Sequence, residues 1–195
     1  VLFQEESDEL HPVTPYGVSK LAFEKIIFTL GKLYTIPSVA FRYSIVHGSN
    51  QSFRHYYSGA LRAFAAMVLS GRPIAFHEDG LQLRDFVHID DVVRAHVIAL
   101  HDQRADFEVF NVGSGRSTRV IELAHKVAEV LDQPFQAEQG TRFRILTPRH
   151  SLTDISKLKN LGWAPVKTLE DNVRDYVSWV KTQPEAKKYF RDAMK

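Results

Sequence analysis

The chain has no cysteine among its 195 residues. Disulfides, thiolate zinc sites and a cysteine nucleophile are therefore excluded, and we expect a reducing compartment, the cytoplasm. Positive and negative side chains nearly balance, with 25 Lys and Arg against 23 Asp and Glu. Because no basic run or polybasic tail is present, we predict that the protein binds neither nucleic acid nor a membrane surface. A run of about 18 apolar residues is also missing, so no membrane span is predicted.

The patterns that are present alternate between helix and strand. Apolar residues at helical spacing predict a helix over residues 16–34, bounded by Pro15 and Pro37. Residues 38–46 are rich in β-branched and aromatic side chains, which predicts a buried strand. The same criteria predict helices over 59–70 and 118–131, a helix that begins after an N-cap at Asp90, and a last helix that begins after a capping box at Thr168. They also predict strands over 74–77, 84–88 and 108–112. This alternation is typical of the α/β class.

Tyr16 and Lys20 are the strongest candidates for chemistry. Four residues apart in a predicted helix, their side chains share one face and lie one turn apart. A phenol is almost fully protonated at neutral pH and is a poor base, whereas a neighbouring ammonium favours the phenolate. The spacing therefore fits a proton-transferring pair. A surface tyrosine and lysine in casual contact would give the same pattern.

Five short motifs follow one another along the chain. They are PYGVSK at 15–20, FRYS at 41–44, DGLQLRDFVHIDD at 79–91, FNVGSG at 110–115, and DISK with LGW within 154–163. In this order and spacing, the chain resembles the extended short-chain dehydrogenase/reductase family, and within it the NAD-dependent nucleotide-sugar epimerases and dehydratases. Each motif is weak alone, but five in register across nearly the whole chain are specific.

The resemblance implies a role for several residues and NAD as the cofactor. Tyr16 would exchange a proton with a sugar hydroxyl while hydride moves between the sugar carbon and nicotinamide, and Lys20 would hold the nicotinamide ribose. Arg84 would contact the diphosphate of the substrate, a task that suits the planar guanidinium. Arg144, close to where the family commonly has an Arg-Pro-Gly-Asp segment, would be a second phosphate-binding arginine.

The chain departs from the family pattern after the FRYS motif. Ile45 stands where the family has an asparagine that touches substrate, and an isoleucine side chain cannot form a hydrogen bond. His47 stands where a tyrosine is expected, and this histidine would either line the sugar pocket or pack in the core. The segment at 144–147 reads RILT in place of Arg-Pro-Gly-Asp.

The glycine-rich turn with which the family cradles the pyrophosphate of NAD has no counterpart in this sequence. Gly113 and Gly115 follow a predicted strand, but a third glycine is missing, so we interpret them as an ordinary strand-to-helix turn. We therefore expect the C-terminal part of a Rossmann-like parallel sheet with a small α+β substrate-binding lobe. Residues 1–47 and 89–131 would form the Rossmann part, and residues 48–88 and 132–195 the lobe.

The resemblance implies an NAD-dependent nucleotide-diphosphate-sugar 4-epimerase that oxidises C4 transiently. A 4,6-dehydratase or a reductase of the same family is the alternative within this class. A non-catalytic module that binds sugar nucleotides or a protein is a third interpretation, favoured by the missing glycine-rich turn and opposed by the intact Tyr16 and Lys20 pair.

The family also implies a homodimer built through the helix that carries Tyr16. Phe23, Ile27 and Leu30 give this helix a mixed face that would suit a helix bundle, although the same face would suit core packing. A metal site is not predicted, because the candidate cluster at residues 88–91 has no third ligand at convincing spacing.

Overall fold

The computed structural model describes residues 3–54, 59–138, 140 and 148–186. Within these ranges the helices are α1 (Pro15–Leu33), α2 (Gly59–Leu69), α3 (Ile89–His101), α4 (Val120–Val130), α5 (Ser156–Lys159) and α6 (Leu169–Thr182). The strands are β1 (Ala40–Tyr43), β2 (Ile45–His47), β3 (Ile74–Ala75), β4 (Leu83–Arg84), β5 (Phe86–His88), β6 (Val109–Val112), β7 (Thr118–Arg119) and β8 (Ala137–Glu138). Across the described ranges, no helix combines the length and apolarity that crossing a bilayer requires.

The strand pairs are mostly parallel. β1 pairs with β6, β2 with β5 and β3 with β8 in parallel, while β4 and β7 are antiparallel. Parallel strands connected through helices define the α/β class, so the predicted fold class is confirmed. Among the described residues, β1 has a strand neighbour on one edge, β6, and its other edge carries no paired strand.

The strand predicted over 38–46 is divided because its hydrogen-bond partner changes at Ser44. The Ser44 amide still donates to the carbonyl of Val112, at 2.9 Å, in continuation of the β1–β6 pair. The next amide, that of Ile45, donates to the carbonyl of Asp85 at 3.0 Å, and β2 then pairs with β5. One continuous segment therefore belongs to two strand pairs in succession.

α1 begins and ends within one residue of the predicted bounds. The Thr14 hydroxyl accepts from the Gly17 amide at 3.1 Å, and Pro15 occupies the first turn, where a missing N–H is harmless. Although α1 has 19 residues, Gly31 is the one residue of the helix that is buried. Many of its apolar side chains, including Leu30 and Leu33, are exposed, and Leu21, Ile27 and Phe28 are half-buried. This helix therefore gains little from the described core.

The N-cap of α3 is His88, and the prediction of Asp90 in that role was wrong. His88 Nδ1 accepts from the Asp90 amide at 3.1 Å. Asp90 and Asp91 lie in the first turn, where carboxylates complement the helix dipole. The buried carboxylate of Asp91 is oriented away from the cap because it accepts from the amides of Val166 and Lys167, at 3.1 and 3.0 Å.

The predicted capping box at the start of α6 is confirmed. Thr168 Oγ1 accepts from the Asp171 amide at 3.1 Å, and the Asp171 carboxylate accepts from the Thr168 amide at 2.7 Å. The stripe that α6 buries contains Val173, Tyr176 and Val180. This helix, in contrast to α1, is anchored along its length.

Two hydrophobic clusters form the core. The first joins α2, α4, α6 and β5 and includes Leu61, Phe64, Ile74, Phe86, Leu123 and Tyr176. The second joins β5, α3, β6 and α5 and includes Val87, Ala95, Phe110, Leu158 and Trp163. α4 therefore packs with α2 and α6, although the division drawn from the sequence places residues 89–131 together in the Rossmann part.

Two histidines lie side by side in this core. His47 and His88 occupy paired positions on β2 and β5, and His47 is 1% exposed. Neither ring nitrogen of His47 has a hydrogen-bond partner, and its ring stacks on Phe86 with centroids 5.0 Å apart. Burial, reinforced by the neighbouring His88, lowers the pKa of His47 to about 3. His47 is therefore neutral in the folded protein at neutral pH.

We expect His47 to make the protein less stable in acid. In the unfolded chain this histidine takes up a proton below pH of about 6.5, which the folded state resists until about pH 3. Its contribution is complete above pH ~6.5 and declines below it, by about 2 kcal/mol between pH 8 and pH 5. The free energy of unfolding from urea titrations at the two pH values measures this loss.

His47→Phe, which keeps the stacked ring and cannot titrate, should lack that part of the pH dependence. The raised pKa of buried Asp85 acts in the opposite direction, so the difference between parent and variant is the informative quantity. His101→Gln, at an exposed position, is the control and should follow the parent. An unchanged slope in His47→Phe would contradict the assignment.

Candidate functional site

The structure brings Tyr16 and Lys20 together on the first turns of α1. Lys20 Nζ lies 5.4 Å from the centroid of the Tyr16 ring, within the range of a cation–π contact. Tyr16 is 72% exposed, so its phenol is accessible to a second molecule. The helical spacing that predicted the pair is therefore realised as a contact.

Both side chains line a large cavity of about 1140 Å³. Its walls come from the segment before α1, from α1 itself, from β1 and from α3. Contributing side chains include Glu5, His11, Phe23, Ile27, Phe41, Tyr43, His96 and Leu100. Small-molecule sites occupy roughly 300–1,000 Å³. The large cavity also borders the edge of β1 that has no strand partner among the described residues, and it therefore has room for a ligand and for further protein structure.

An ion pair fixes one wall of the large cavity. Arg42 on β1 donates to both carboxylate oxygens of Glu24 on α1, at 3.0 and 2.8 Å. A third donation from Arg42 reaches the backbone carbonyl of Glu6 at 3.1 Å. Both side chains of the ion pair are largely buried. This two-pronged contact sets the distance between the helix that carries Tyr16 and the strand beside it.

The segment before α1 is held against β6. The backbone amide of Asn111 donates to the Glu6 carboxylate at 2.7 Å, and its side-chain Nδ2 donates to the backbone carbonyl of Gln4 at 2.9 Å. Gln4 also forms a parallel bridge with Thr153. These contacts position residues 4–6 as the second wall of the large cavity.

A tyrosine–histidine pair lies on the opposite side of the large cavity. The Tyr43 hydroxyl is 2.9 Å from His96 Nε2, and His96 Nδ1 is 2.8 Å from the carbonyl of Val92. A ring nitrogen that faces a carbonyl must donate, so Nδ1 carries the proton and Nε2 accepts from Tyr43. Burial raises the pKa of Tyr43. This second tyrosine is therefore a neutral donor and does not resemble a base.

Arg84 lines a smaller cavity of about 250 Å³, which shares Tyr43, Ser44 and Ser151 with the large cavity. Its guanidinium donates to the carbonyls of Pro148 and Arg149, at 3.0 and 2.7 Å. Ser44 and Ser151 line the smaller cavity with it. Arg84 therefore joins β4 to the segment at 148–151 and presents a positive charge at the smaller cavity.

The remaining substrate-binding candidates occupy different environments. Ile45 is half-buried and lines the smaller cavity. His47 lies in the core and lines neither the larger nor the smaller cavity. Arg144 lies outside the described residues. The structure therefore places Ile45 beside Arg84 and keeps His47 apart from both.

The turn at Gly113–Gly115 has its amides occupied from within the protein. The amides of Ser114 and Gly115 donate to the carboxylate of Asp85, at 2.7 and 3.0 Å. A pyrophosphate would need those same donors. These contacts support the interpretation that this segment is no dinucleotide fingerprint, but the turn leads first into β7, which pairs with β4, and α4 begins only at Val120, two residues after the predicted start of that helix. Across the described ranges, no group of three or more His, Asp or Glu side chains is arranged to hold a metal ion.

Sequence reasoning missed Glu24, Arg42 and Asp85. Arg42 carried a signal, because a charged residue in an otherwise apolar strand needs a partner when it is buried. Its partner, Glu24, is 18 residues away, so the sequence did not reveal it. Asp85 follows Arg84 directly, and nothing in the local pattern distinguishes its buried carboxylate from a surface one.

We expect Glu24→Gln to lower the free energy of unfolding by about 1–3 kcal/mol, because it leaves the largely buried Arg42 charge without its counter-charge. A double-mutant cycle of Glu24→Gln with Arg42→Gln, followed by urea denaturation, measures the coupling. In the pair of Arg104 and Asp102, which also forms several hydrogen bonds, the Arg104 side chain is 64% exposed, and the same cycle there should give a smaller coupling. Equal couplings for the two pairs would contradict the role given to burial.

The family model described as the NAD dependent epimerase/dehydratase family matches residues 2–113 of the chain. Among curated relatives, dTDP-L-rhamnose 4-epimerase from Burkholderia thailandensis is 32% identical over 180 residues, which are 92% of this chain and 49% of that protein. A putative UDP-glucose 4-epimerase from Methanocaldococcus jannaschii is 31% identical over 91% of this chain and 56% of its own length.

Two solved structures of nucleotide-sugar epimerases are similar to the chain as well. UDP-glucose 4-epimerase from Thermotoga maritima, determined with UDP-glucose, superposes with a TM-score of 0.78 at 31% identity, over 95% of this chain and 56% of that one. UDP-N-acetylglucosamine 4-epimerase from Methanobrevibacter ruminantium, in complex with UDP-N-acetylmuramic acid, superposes with a TM-score of 0.85 at 26% identity, over 92% and 57%. The chain spans about half the length of these relatives or, for larger multifunctional relatives, about a quarter.

Proposed function

Because the chain belongs to the NAD-dependent epimerase/dehydratase family, we propose that the protein containing it is an NAD-dependent nucleotide-diphosphate-sugar 4-epimerase. The observation that carries the proposal is the Tyr16–Lys20 pair at the large cavity. The substrate class comes from the names of relatives that act on UDP- and dTDP-sugars. A cytoplasmic location, in keeping with the absence of cysteine, is part of the proposal.

The residues of the chain fit one part of an NAD site. Lys20 and Tyr16 would hold the nicotinamide ribose through hydrogen bonds, and NAD, when bound, would supply reversible acceptance of hydride from the sugar carbon. The turn at Gly113–Gly115 does not fit the pyrophosphate, because its amides donate to Asp85. We therefore assign the pyrophosphate to another part of the protein, beyond the described residues.

We place that other part at the unpaired edge of β1. The large cavity runs along this edge, between α1 and α3, and exposed apolar side chains such as Phe23 and Leu100 border it. A parallel strand added there would continue the β1–β6 pair and cover α1. In this arrangement the cofactor would lie on the Rossmann part beside the substrate lobe, with α4 packed against the lobe helices α2 and α6.

The chemistry assigned to this chain is proton transfer by Tyr16. Its phenolate would take the proton of the C4 hydroxyl as that carbon is oxidised and would return the proton when the carbon is reduced from the other face. The Lys20 ammonium would stabilise the phenolate by its opposite charge. Arg84, held by the carbonyls of Pro148 and Arg149, would contact the substrate diphosphate at the smaller cavity.

Tyr16→Phe is the direct test, in protein expressed from the complete reading frame. We expect kcat to fall by at least about 100-fold, the usual contribution of general acid–base catalysis, while NAD remains bound as judged by its absorbance. Tyr34→Phe removes an exposed hydroxyl at the end of the same helix and is the matched control. Normal turnover by Tyr16→Phe would show the catalytic assignment to be wrong.

A panel of UDP-, dTDP-, GDP- and CDP-sugars identifies the substrate and separates the alternatives. An epimerase converts the sugar to its C4 epimer, whereas a 4,6-dehydratase accumulates a 4-keto-6-deoxy product and a reductase consumes a reduced cofactor. Binding of a sugar nucleotide without turnover or bound nicotinamide would favour the non-catalytic module.

We also propose that the protein is a homodimer through α1. Phe23, Ile26, Leu30 and Leu33 are 47–68% exposed and recur at spacings of three and four residues, which gives one apolar stripe. This stripe is continuous over three turns. Phe23, at one end of it, also lines the large cavity, as does Ile27, which was considered from the sequence. A second copy of α1 would bury the stripe in an antiparallel or parallel helix pair.

We expect the double variant Ile26→Glu with Leu30→Glu to halve the molar mass measured by light scattering, because two carboxylates would enter the buried stripe. Lys25→Glu, at an exposed position on another face of α1, should leave the mass unchanged. An undiminished dimer in the double variant would place the interface elsewhere.

A further inference from the structure

Asp85 lies between β4 and β5 at a junction that the proposed reaction does not use. It is 1% exposed. Its carboxylate accepts from the amide and the hydroxyl of Ser114, each at 2.7 Å, and from the Gly115 amide at 3.0 Å. Ser44 Oγ donates to the same carboxylate at 3.4 Å. Burial raises the pKa of Asp85, and these hydrogen bonds oppose the rise because they stabilise the ionised form.

The backbone of Asp85 completes the junction. Its carbonyl accepts from the Ile45 amide at 3.0 Å, at the point where the segment 40–47 changes its strand partner. On the opposite side, a Cβ added to Gly113 would overlap the Asp85 carboxylate. Two segments that are distant in sequence, 44–45 and 113–115, therefore converge on Asp85, and the absence of a Cβ at Gly113 leaves the space that its carboxylate occupies.

The smaller cavity lies directly beside this junction. Ser44, Ile45, Arg84 and Asp85 itself are among its lining residues. Arg84 is the chain neighbour of Asp85, with its guanidinium held by the carbonyls of Pro148 and Arg149, and Ser44 Oγ donates to the Asp85 carboxylate. A change at Asp85 would therefore act on two walls of the smaller cavity, through the backbone next to Arg84 and through the Ser44 hydroxyl.

We propose that Asp85 is a positioning residue for substrate recognition, which holds Arg84 and Ser44 where the diphosphate of a sugar nucleotide binds. The inference rests on the proposed function and names the element that orients its binding site. Asp85 does not touch the substrate, because donors from the protein itself surround its oxygens. The effect of Asp85 therefore falls on substrate binding and not on proton transfer at Tyr16, which lines the other cavity.

Asp85→Asn tests the proposal in protein expressed from the complete reading frame. The amide keeps the size of the side chain but turns a donor toward the donors of the turn at 114–115. With the sugar nucleotide of the panel that has the highest kcat/KM, we expect KM to rise about 10-fold while kcat stays within about 2-fold. The affinity for NAD should be unchanged. Asp102→Asn, which removes a carboxylate that accepts from Arg104 and lines neither cavity, is the control.

Ser114→Ala is a milder second variant, because it removes one hydroxyl donor and keeps the backbone contacts. We expect its KM to rise about 3-fold, and the double variant to be no worse than Asp85→Asn alone, since both act through one contact. If Asp85→Asn does not fold, Ser114→Ala alone decides the question.

Two results would overturn the positioning role. One is an unchanged KM in the folded variants. The other is a fold decrease in kcat as large as the fold increase in KM. If the parent protein binds and converts no sugar nucleotide, the proposed function fails first and this inference fails with it. Turnover by the parent with unaltered KM in the variants refutes the positioning role alone.

Discussion

The exchange of hydrogen-bond partner at Ser44 is the constraint on which the rest of the structure depends. Before this residue the segment 40–47 belongs with β6, and after it the segment belongs with β5. The large cavity, with Tyr16, is lined by residues 40–44 and Val46, and the smaller cavity, with Arg84, by Tyr43, Ser44 and Ile45. The junction at Ser44 therefore lies where the two cavities adjoin, between the proposed site of proton transfer and the site proposed for the diphosphate, and Asp85 secures it through both its backbone and its side chain.

The helices followed from the sequence where their ends are determined locally. Prolines and a threonine cap bound α1, and a reciprocal pair of hydrogen bonds opens α6, so neighbouring residues contain the whole signal. The start of α3 did not follow, because the carboxylate of Asp91 contacts residues some 75 positions away and a buried histidine takes the cap. The break in the strand over 38–46 was invisible for the same reason, since both of its partners are distant in sequence.

The candidate site was predictable to a similar extent. The contact of Tyr16 with Lys20 follows from helical geometry alone. The anchoring of Arg84 by carbonyls at 148–149 and the pairing of Arg42 with Glu24 depend on how separate segments meet, which one sequence does not reveal. For His47 the sequence left two interpretations, and the ring lies in the core against Phe86. Its place in the motif suggested contact with substrate. Whether the ring reaches a pocket or the core depends on the side chains around β2, which the motif does not specify.

The thin burial of α1 has a consequence for how such an enzyme becomes active. A helix that buries a single glycine owes little of its persistence to the protein described here, so its local opening costs little free energy. The Tyr16 phenol would then acquire a fixed position only when neighbouring structure packs against the helix. Assembly of the complete protein and formation of the proposed proton-transfer site would be one event.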